Sequence, residues 1–275
     1  MEKVPIVLTI AGSDSGGGAG IQADLKTFAA FQVYGASAIT AVTAQNTRGV
    51  FAVENITPIV IGDQIDAIIS DIKVNAIKTG MLSNSSIIQI VASKLASSGL
   101  DKIVVDPVMV AKGGDLLLEE DAVSTLREVL LPKALVVTPN ADEAAVLSGA
   151  PVTNLTEAKA AAKIISQMGP NYVVVKGGHF GEIATDILYH DNQFREYTTP
   201  RISTNNTHGT GCTFASAIAA GLAWNLSVES SVQQAKNYVF ESIKSTFPVG
   251  HGHGPLNHFH KWWQNPQSGH SNMPS

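Results

Sequence analysis

Short runs of β-branched and apolar residues alternate along the chain with longer stretches whose apolar positions recur every three to four residues. Val4–Ile10, Ala36–Thr43, Ala76–Thr79, Ile103–Val105, Leu135–Thr138 and Tyr172–Lys176 read as strands, most of them apolar throughout rather than alternating. Continuous apolar strands are expected of a parallel sheet covered on both faces. Between them Ile21/Leu25/Phe28, Ile65/Ile68/Ile69/Ile72, Ile87/Ile88/Val91/Leu95, Val123/Leu126/Val129/Leu130 and Ala158/Ala161/Ala162/Ile165 fall at helical spacing. The alternation predicts an α/β fold with a doubly wound, mostly parallel sheet flanked by helices. Three stretches break the pattern. Thr185–His190 and Gln193–Thr199 flank Asp191-Asn192 and read as a hairpin, and Val50–Thr57 reads as a small β flap or an edge. No repeat, heptad pattern or interdomain linker interrupts the series, so residues 1–264 are expected to form a single domain. The tail 265–275, rich in Pro, Ser, Asn and Gly, is expected to be disordered.

At 275 residues the chain can bury a sizeable core. Its formal charge of −5 excludes an unaided surface for nucleic acid or an acidic membrane, so any phosphate site has to be local. Cys212 is the single cysteine, which rules out an internal disulfide and suits a reducing compartment. The apolar run after Met1 ends at Gly12, too short for a signal-peptide core or a membrane span, and a cytoplasmic protein is expected.

In doubly wound sheets ligands sit beyond the carboxyl ends of the strands. The polar and glycine-rich residues cluster there: Gly12–Gly20, Gln45-Asn46-Thr47, Gly80-Met81, Asp106-Pro107, Pro139-Asn140 and Gly177-Gly178-His179. One pocket fed by six strand ends is the economical reading. Asn205-Asn-Thr-His-Gly-Thr-Gly-Cys212 runs into a small-residue helix pattern, so unpaired helix amides can converge on an anion. The competing reading is a glycine-punctuated loop with Cys212 as a small core residue. Gly12–Gly20 fails the dinucleotide fingerprint by spacing, and no phosphate-loop motif G-x-x-x-x-G-K-[ST] occurs. Asn140 and Glu143 form either a helix cap or, with Asp106, a holder for hydrated Mg²⁺ beside phosphate oxygens. Lys176 ends a strand with a cation suited to phosphate. His251, His253, His258 and His260 invite a zinc proposal, but without cysteines nearby a packing role is the simpler reading.

These fragments, in this order, resemble the ribokinase-like superfamily and within it the hydroxymethylpyrimidine/phosphomethylpyrimidine kinases of thiamine biosynthesis. The residues that carry the likeness are Leu8–Phe28, Thr43–Gly49, Lys78-Thr-Gly-Met-Leu82, Asp106–Asp115, Thr138-Pro-Asn-x-x-Glu143, Lys176-Gly-Gly-His179, Asn206–Thr213 and Gly250-His-Gly-x-Gly-Pro through Trp262-Trp263. The resemblance implies transfer of the γ-phosphoryl of ATP to 4-amino-5-hydroxymethyl-2-methylpyrimidine, then to its monophosphate, with Mg²⁺ as cofactor and a homodimer as the assembly. It implies an anion hole at Gly209, Thr210, Gly211 and Cys212, phosphate contacts from Asn140 and Lys176, and metal contacts from Glu143 and Asp106. Cys212 stands where most of the superfamily has an aspartate base. Gln45 falls at the pyrimidine-reading position, where its amide can both donate and accept. Gly12, Asp24, Met81 and Val108 would complete the ring pocket. A pyridoxine/pyridoxal kinase of the same fold is the nearest rival. A catalytically silent pyrimidine sensor is the other, against which the intact Lys176, Asn140, Glu143 and Cys212 argue.

Overall fold

The computed structural model describes residues 4–110, 114, 117–119, 121–178, 181 and 183–263. Among them one sheet carries β1 Ile6–Asp14, β2 Tyr34–Asn46, β3 Gly49–Asn55, β4 Ala76–Thr79, β5 Ile103–Val105, β6 Val136–Val137, β7 Tyr172–Val175, β8 Ile183–His190 and β9 Gln193–Pro200. Their order is β3-β2-β1-β4-β5-β6-β7-β8-β9. The pairings from β2 across to β7 are parallel, and the apolar runs form this middle. Alternate residues feed two cores. Leu8, Ile10, Ile77 and Val105 pack on one face, and Val7, Ala76, Val104 and Val136 on the other. This is the doubly wound, mostly parallel arrangement predicted by the periodicity.

The antiparallel strands sit at the edges. Val50–Thr57 is an edge: β3 continues the main sheet antiparallel to β2. The hairpin of β8 and β9 extends the other edge, and its turn residues Asp191 and Asn192 take φ of 46° and 61°, the paired left-handed geometry of a tight hairpin. β1 and β2 run past the apolar runs, to Asp14 and Asn46; the added residues of β1 are mostly buried and those of β2 exposed or half-buried.

The helices are α1 Gly20–Ala30, α2 Pro58–Asp71, α3 Ser85–Ser98, α4 Ala122–Thr125, α5 Ala141–Ser148, α6 Leu155–Ser166, α7 Thr210–Ala223 and α8 Val228–Lys244. After α4 the chain continues through a π turn at Leu126–Leu130. Local chemistry sets the ends: Asn84 and Asn154 accept the amides of Ile87 and Glu157 as N-caps, and Gly99 and Gly149 close α3 and α5 in the left-handed conformation. Helices α1, α7 and α8 cover one face and α2 to α6 the other. α8 was not anticipated. Val228, Val232, Ala235 and Val239 form one buried stripe on an otherwise polar, amphipathic helix. Among the described residues no helix is long and apolar enough to cross a membrane. The tail 265–275 lies outside the described residues.

Strand order reverses beside β1, with β2 on one side and β4 onward on the other. The crevice beyond the carboxyl ends at that point is where such sheets hold ligands.

Candidate active site

Three strand ends bring charge together. Asp106 follows β5, Asn140 follows β6, and Lys176 follows β7. Lys176 Nζ lies 2.9 Å from Asp106 Oδ1 and 3.9 Å from Glu143 Oε2, and Thr138 Oγ1 donates to Asp106 Oδ1 at 3.1 Å. Asn140 and Glu143 close a capping box: Glu143 N donates to Asn140 Oδ1 at 2.8 Å and Asn140 N to Glu143 Oε2 at 2.7 Å. The cap reading therefore holds, and the cap itself sets the carboxylate beside Lys176. Burial pushes Glu143 up to about 7; Asp106 adds to the rise, while Lys176 and the Asn140 and Met109 amides oppose it. For Lys176, burial favours the neutral amine, but Asp106 and Glu143 outweigh it and hold the ammonium. The turn after Lys176 is pinned from behind. Gly177 N donates to Asp186 Oδ1 at 2.9 Å, and Lys236 Nζ holds Asp186 Oδ2 at 2.9 Å.

The N-terminus of α7 faces this cluster. Gly209 caps it at φ 82°, and a Cβ there would fall 1.8 Å from Gly18 O, so only glycine lets the two loops meet. No side chain caps the helix. Thr210 N turns back to Thr207 O, and Thr213 N reaches Gly209 O. The Gly211 and Cys212 amides between them have no acceptor among the described residues. These donors, with the helix dipole behind them, have the arrangement of an anion receptor. A Cβ on Gly211 would stand 3.1 Å from Lys176 Nζ and 3.6 Å from Asp106 Oδ2, so receptor and cation share one space. Burial pushes the Cys212 thiol up to about 11; Asp24 and Asp106 add to that, and Lys78 and the Gly20 amide oppose it. At neutral pH it is a thiol.

The other end of the cleft is less charged. Met81 packs on Gly12, its sulfur 3.2 Å from where a Cβ would sit, whereas Val108 lines a small cavity shared with Asp106, Gly80, Leu82 and Leu118, away from Gln45. Gln45 is half-buried, with Oε1 accepting from Thr43 Oγ1 at 3.1 Å and Nε2 3.4 Å from His208 Nε2. His208 Nε2 is in turn 2.8 Å from Asp14 Oδ2. Asp24 stands apart from the expected pocket lining. It is fully buried; Lys78 Nζ bridges both carboxylate oxygens at 3.0 and 2.9 Å, Ser216 donates to Oδ1 at 2.6 Å and Thr9 to Oδ2 at 2.7 Å. It braces β1, β4, α1 and α7 beneath the cleft.

The glycine loop is similarly occupied. The Asp14 carboxylate accepts from Gly16, Gly18 and Ala19 N–H, so these amides hold their own aspartate. Asp14, Lys78, His208, Ser216 and Asp186 were given no role from sequence. A lysine inside the apolar strand Ala-Ile-Lys-Thr was the one plain signal, because a buried ammonium needs an anion. The terminal histidines are dispersed: His253 meets Asn205 O, His258 meets Thr213 Oγ1 and His260 meets Ser242 Oγ. Among the described residues no three His, Cys, Asp or Glu side chains gather to hold a metal; His258 is buried, His253 and His260 are half-buried and His251 is exposed. His179 and the segment 111–113 lie outside the described residues.

Convergent donors beside a cation suit phosphoryl transfer, where alignment and charge neutralisation do most of the work. On this strand order they make the chain a ribokinase-like kinase. Known proteins narrow the class. The family model for phosphomethylpyrimidine kinase matches residues 14–257, and the chain belongs to that family. A hydroxymethylpyrimidine/phosphomethylpyrimidine kinase of Rhizobium meliloti is 51% identical over 94% of this chain and 98% of its own. Two solved structures are similar as well. A Bacillus subtilis pyridoxal kinase, in an ADP complex, is 40% identical with a TM-score of 0.87, over 93% of this chain and 98% of its own. A Clostridium difficile phosphomethylpyrimidine kinase is 44% identical with a TM-score of 0.78, over 88% of this chain and all of its own.

Proposed function

We propose that this protein transfers the γ-phosphoryl of ATP to the hydroxymethyl oxygen of 4-amino-5-hydroxymethyl-2-methylpyrimidine, and then phosphorylates that monophosphate, in thiamine biosynthesis. The observation that carries the reading is the uncapped start of α7 facing Lys176, inside a chain of this family. Gln45 reads the ring edge, Gly12, Met81 and Val108 shape the pocket, and Asp24 holds it from below. Asn140, Lys176, Gly209 and Gly211 address the phosphates. The bond from γ-phosphorus to the bridging oxygen breaks as the substrate oxygen attacks, and the amides of Gly211 and Cys212 meet the charge on the phosphoryl oxygens. Cys212 lies beside the hydroxyl and accepts its proton in the thiolate form, the minor form at neutral pH, with Thr210 completing the turn.

Asp106 and Glu143 are oxygen donors at the phosphate end, and one or two carboxylates plus phosphate oxygens are the usual set for magnesium. The ion, when bound, would neutralise phosphate charge. Purified protein with Mg-ATP and a panel of pyrimidine and pyridoxine alcohols, products resolved by mass, tests the assignment. Mono- and diphosphate of the pyrimidine are expected, and excess chelator should abolish both. Phosphorylation undiminished in chelator, or no pyrimidine phosphate at all, would overturn it. The close fold match to a pyridoxal kinase supports pyridoxine or pyridoxal as a secondary substrate in the same panel. An exposed apolar edge at Val42, Phe51, Val53 and Ile59 supports a homodimer, which sedimentation can check. The lone free thiol favours a reducing, cytoplasmic setting.

A further inference from the structure

The tip of the β2–β3 turn is held by chain more than 200 residues downstream. His251 N and Gly252 N both donate to Thr47 Oγ1 at 3.2 Å, and His253 N donates to Thr47 O at 2.7 Å. The fit leaves no room for a side chain at the strap's glycines. A Cβ on Gly250 would fall 2.3 Å from Thr47 Oγ1, and one on Gly252 would fall 2.0 Å from Thr47 O. The strap then reaches the phosphate side: Gly254 O accepts from His208 N at 3.0 Å, and a Cβ on Gly254 would fall 2.2 Å from Asn206 Oδ1. Residues 250–254 therefore tie the turn that presents Gln45 to the turn that leads into α7.

Gln45 needs such support. It sits where the β2–β3 register shifts, between Ala44 and Gln45, and a bulge of this kind re-aims a side chain. Its partner strand β3 is the sheet edge, with Phe51 to Asn55 all exposed, so packing does little to hold the turn. On the inner side Ser15 Oγ engages both Gln45 N and Gln45 O at 2.8 Å. On the outer side the hold is Thr47.

We propose that Thr47 is a positioning residue for ring recognition: gripped by the Gly250–Gly254 strap, it fixes the turn and so sets the reach of the Gln45 amide into the cleft. The inference rests on the ring-reading role given to Gln45. Thr47 touches no reacting atom, and its influence runs through the two strap amides that its hydroxyl accepts.

Steady-state kinetics of Thr47→Val, Thr47→Ser, Gly252→Ala and Gln45→Leu, each with pyrimidine alcohol and ATP varied in turn, test it. Thr47→Val keeps the shape and loses the acceptor, and should raise KM for the pyrimidine about five- to tenfold, the scale of one or two lost hydrogen bonds. KM for ATP should stay within about twofold. Thr47→Ser restores the acceptor and should return the pyrimidine KM to near the parent value. Gly252→Ala forces the strap off Thr47 from the other side and should reproduce the valine effect, which covers the case of a poorly folding Thr47→Val. A parent-like Thr47→Val, equal loss in the serine and valine variants, or both KM values rising together would overturn the proposal. If Gln45→Leu raises the pyrimidine KM while Thr47→Val and Gly252→Ala do not, the strap role alone falls. If Gln45→Leu leaves it unchanged, the ring-reading role falls and this inference with it.

Discussion

Lys176 and Asp106 are 70 residues apart in the chain and meet in a 2.9 Å ion pair at the foot of the anion receptor, with Glu143 Oε2 3.9 Å from the same ammonium. The lysine separates two buried carboxylates and stays an ammonium, which in the proposed reaction is the cation that an incoming phosphate meets. Lys176→Ala should lower turnover by about 10²–10³-fold, the loss typical of one stabilising donor. Pyrimidine affinity, read by calorimetry, should hardly move, because the ring end contains none of these groups. Ring affinity lost in step with turnover would remove Lys176 from phosphate handling.

Glu143 makes stability depend on pH. Its folded value of about 7 lies above the ordinary 4.5, so between those values the folded state holds a proton that the unfolded chain releases. The resulting stabilisation is complete below about 4.5 and is lost as pH rises through about 7. Glu143→Gln keeps an acceptor for the Asn140 amide and removes the titration. Thermal melts from pH 4 to 8 should show the parent losing stability across that window relative to the glutamine variant. Parallel curves would mean that the carboxylate is ionised throughout.

What could be read in the sequence was set by how local the cause was. Continuous apolar strands, the Asn140 cap and the Asp191-Asn192 turn depend on neighbours in the chain, and each appears where the pattern put it. Asp24 was given to the pocket because it lies in a recognisable fragment, whereas its position beneath the pocket is decided by Lys78, 54 residues on, and Ser216, 192 residues on. The glycine loop gave the same difficulty. Its glycines signal a turn that could equally cradle a ligand, and the choice of Asp14, two to five residues back, as the group that fills it is not marked by the glycine spacing. The bulge at Gln45 and the strap on Thr47 belong to register and to contacts between distant segments, which periodicity does not carry.

Gln45 should set ring choice. Gln45→Leu leaves an aminopyrimidine edge unpaired in a closed pocket, at a cost on the order of 1–3 kcal/mol of binding. The variant should lose more on the pyrimidine alcohol than on pyridoxine, as competition assays with both substrates would show. Equal loss on both rings would assign Gln45 to packing.

Cys212 offers two accounts of the chemical step, and they predict different pH profiles. Burial pushes the thiol up to about 11, so the thiolate fraction rises about tenfold per pH unit through the neutral range. If the thiolate accepts the hydroxyl proton, turnover at saturating substrate climbs from pH 7 to 9. Cys212→Ala should then lose about 10²–10⁴-fold and give a flat profile, the loss typical of a general base. Cys212→Asp, with a carboxylate already ionised at pH 7, should recover activity and flatten the same slope. If the Gly211 and Cys212 amides supply most of the stabilisation, those donors survive the alanine substitution and so does the rate. We expect the first pattern, because Cys212 lies in the first turn of the helix whose free amides face Lys176, and the Lys78 ammonium favours its thiolate. Cys212→Ala turnover within a few-fold of the parent, with the slope unchanged, would leave the anion receptor as the catalytic element and the thiol as packing.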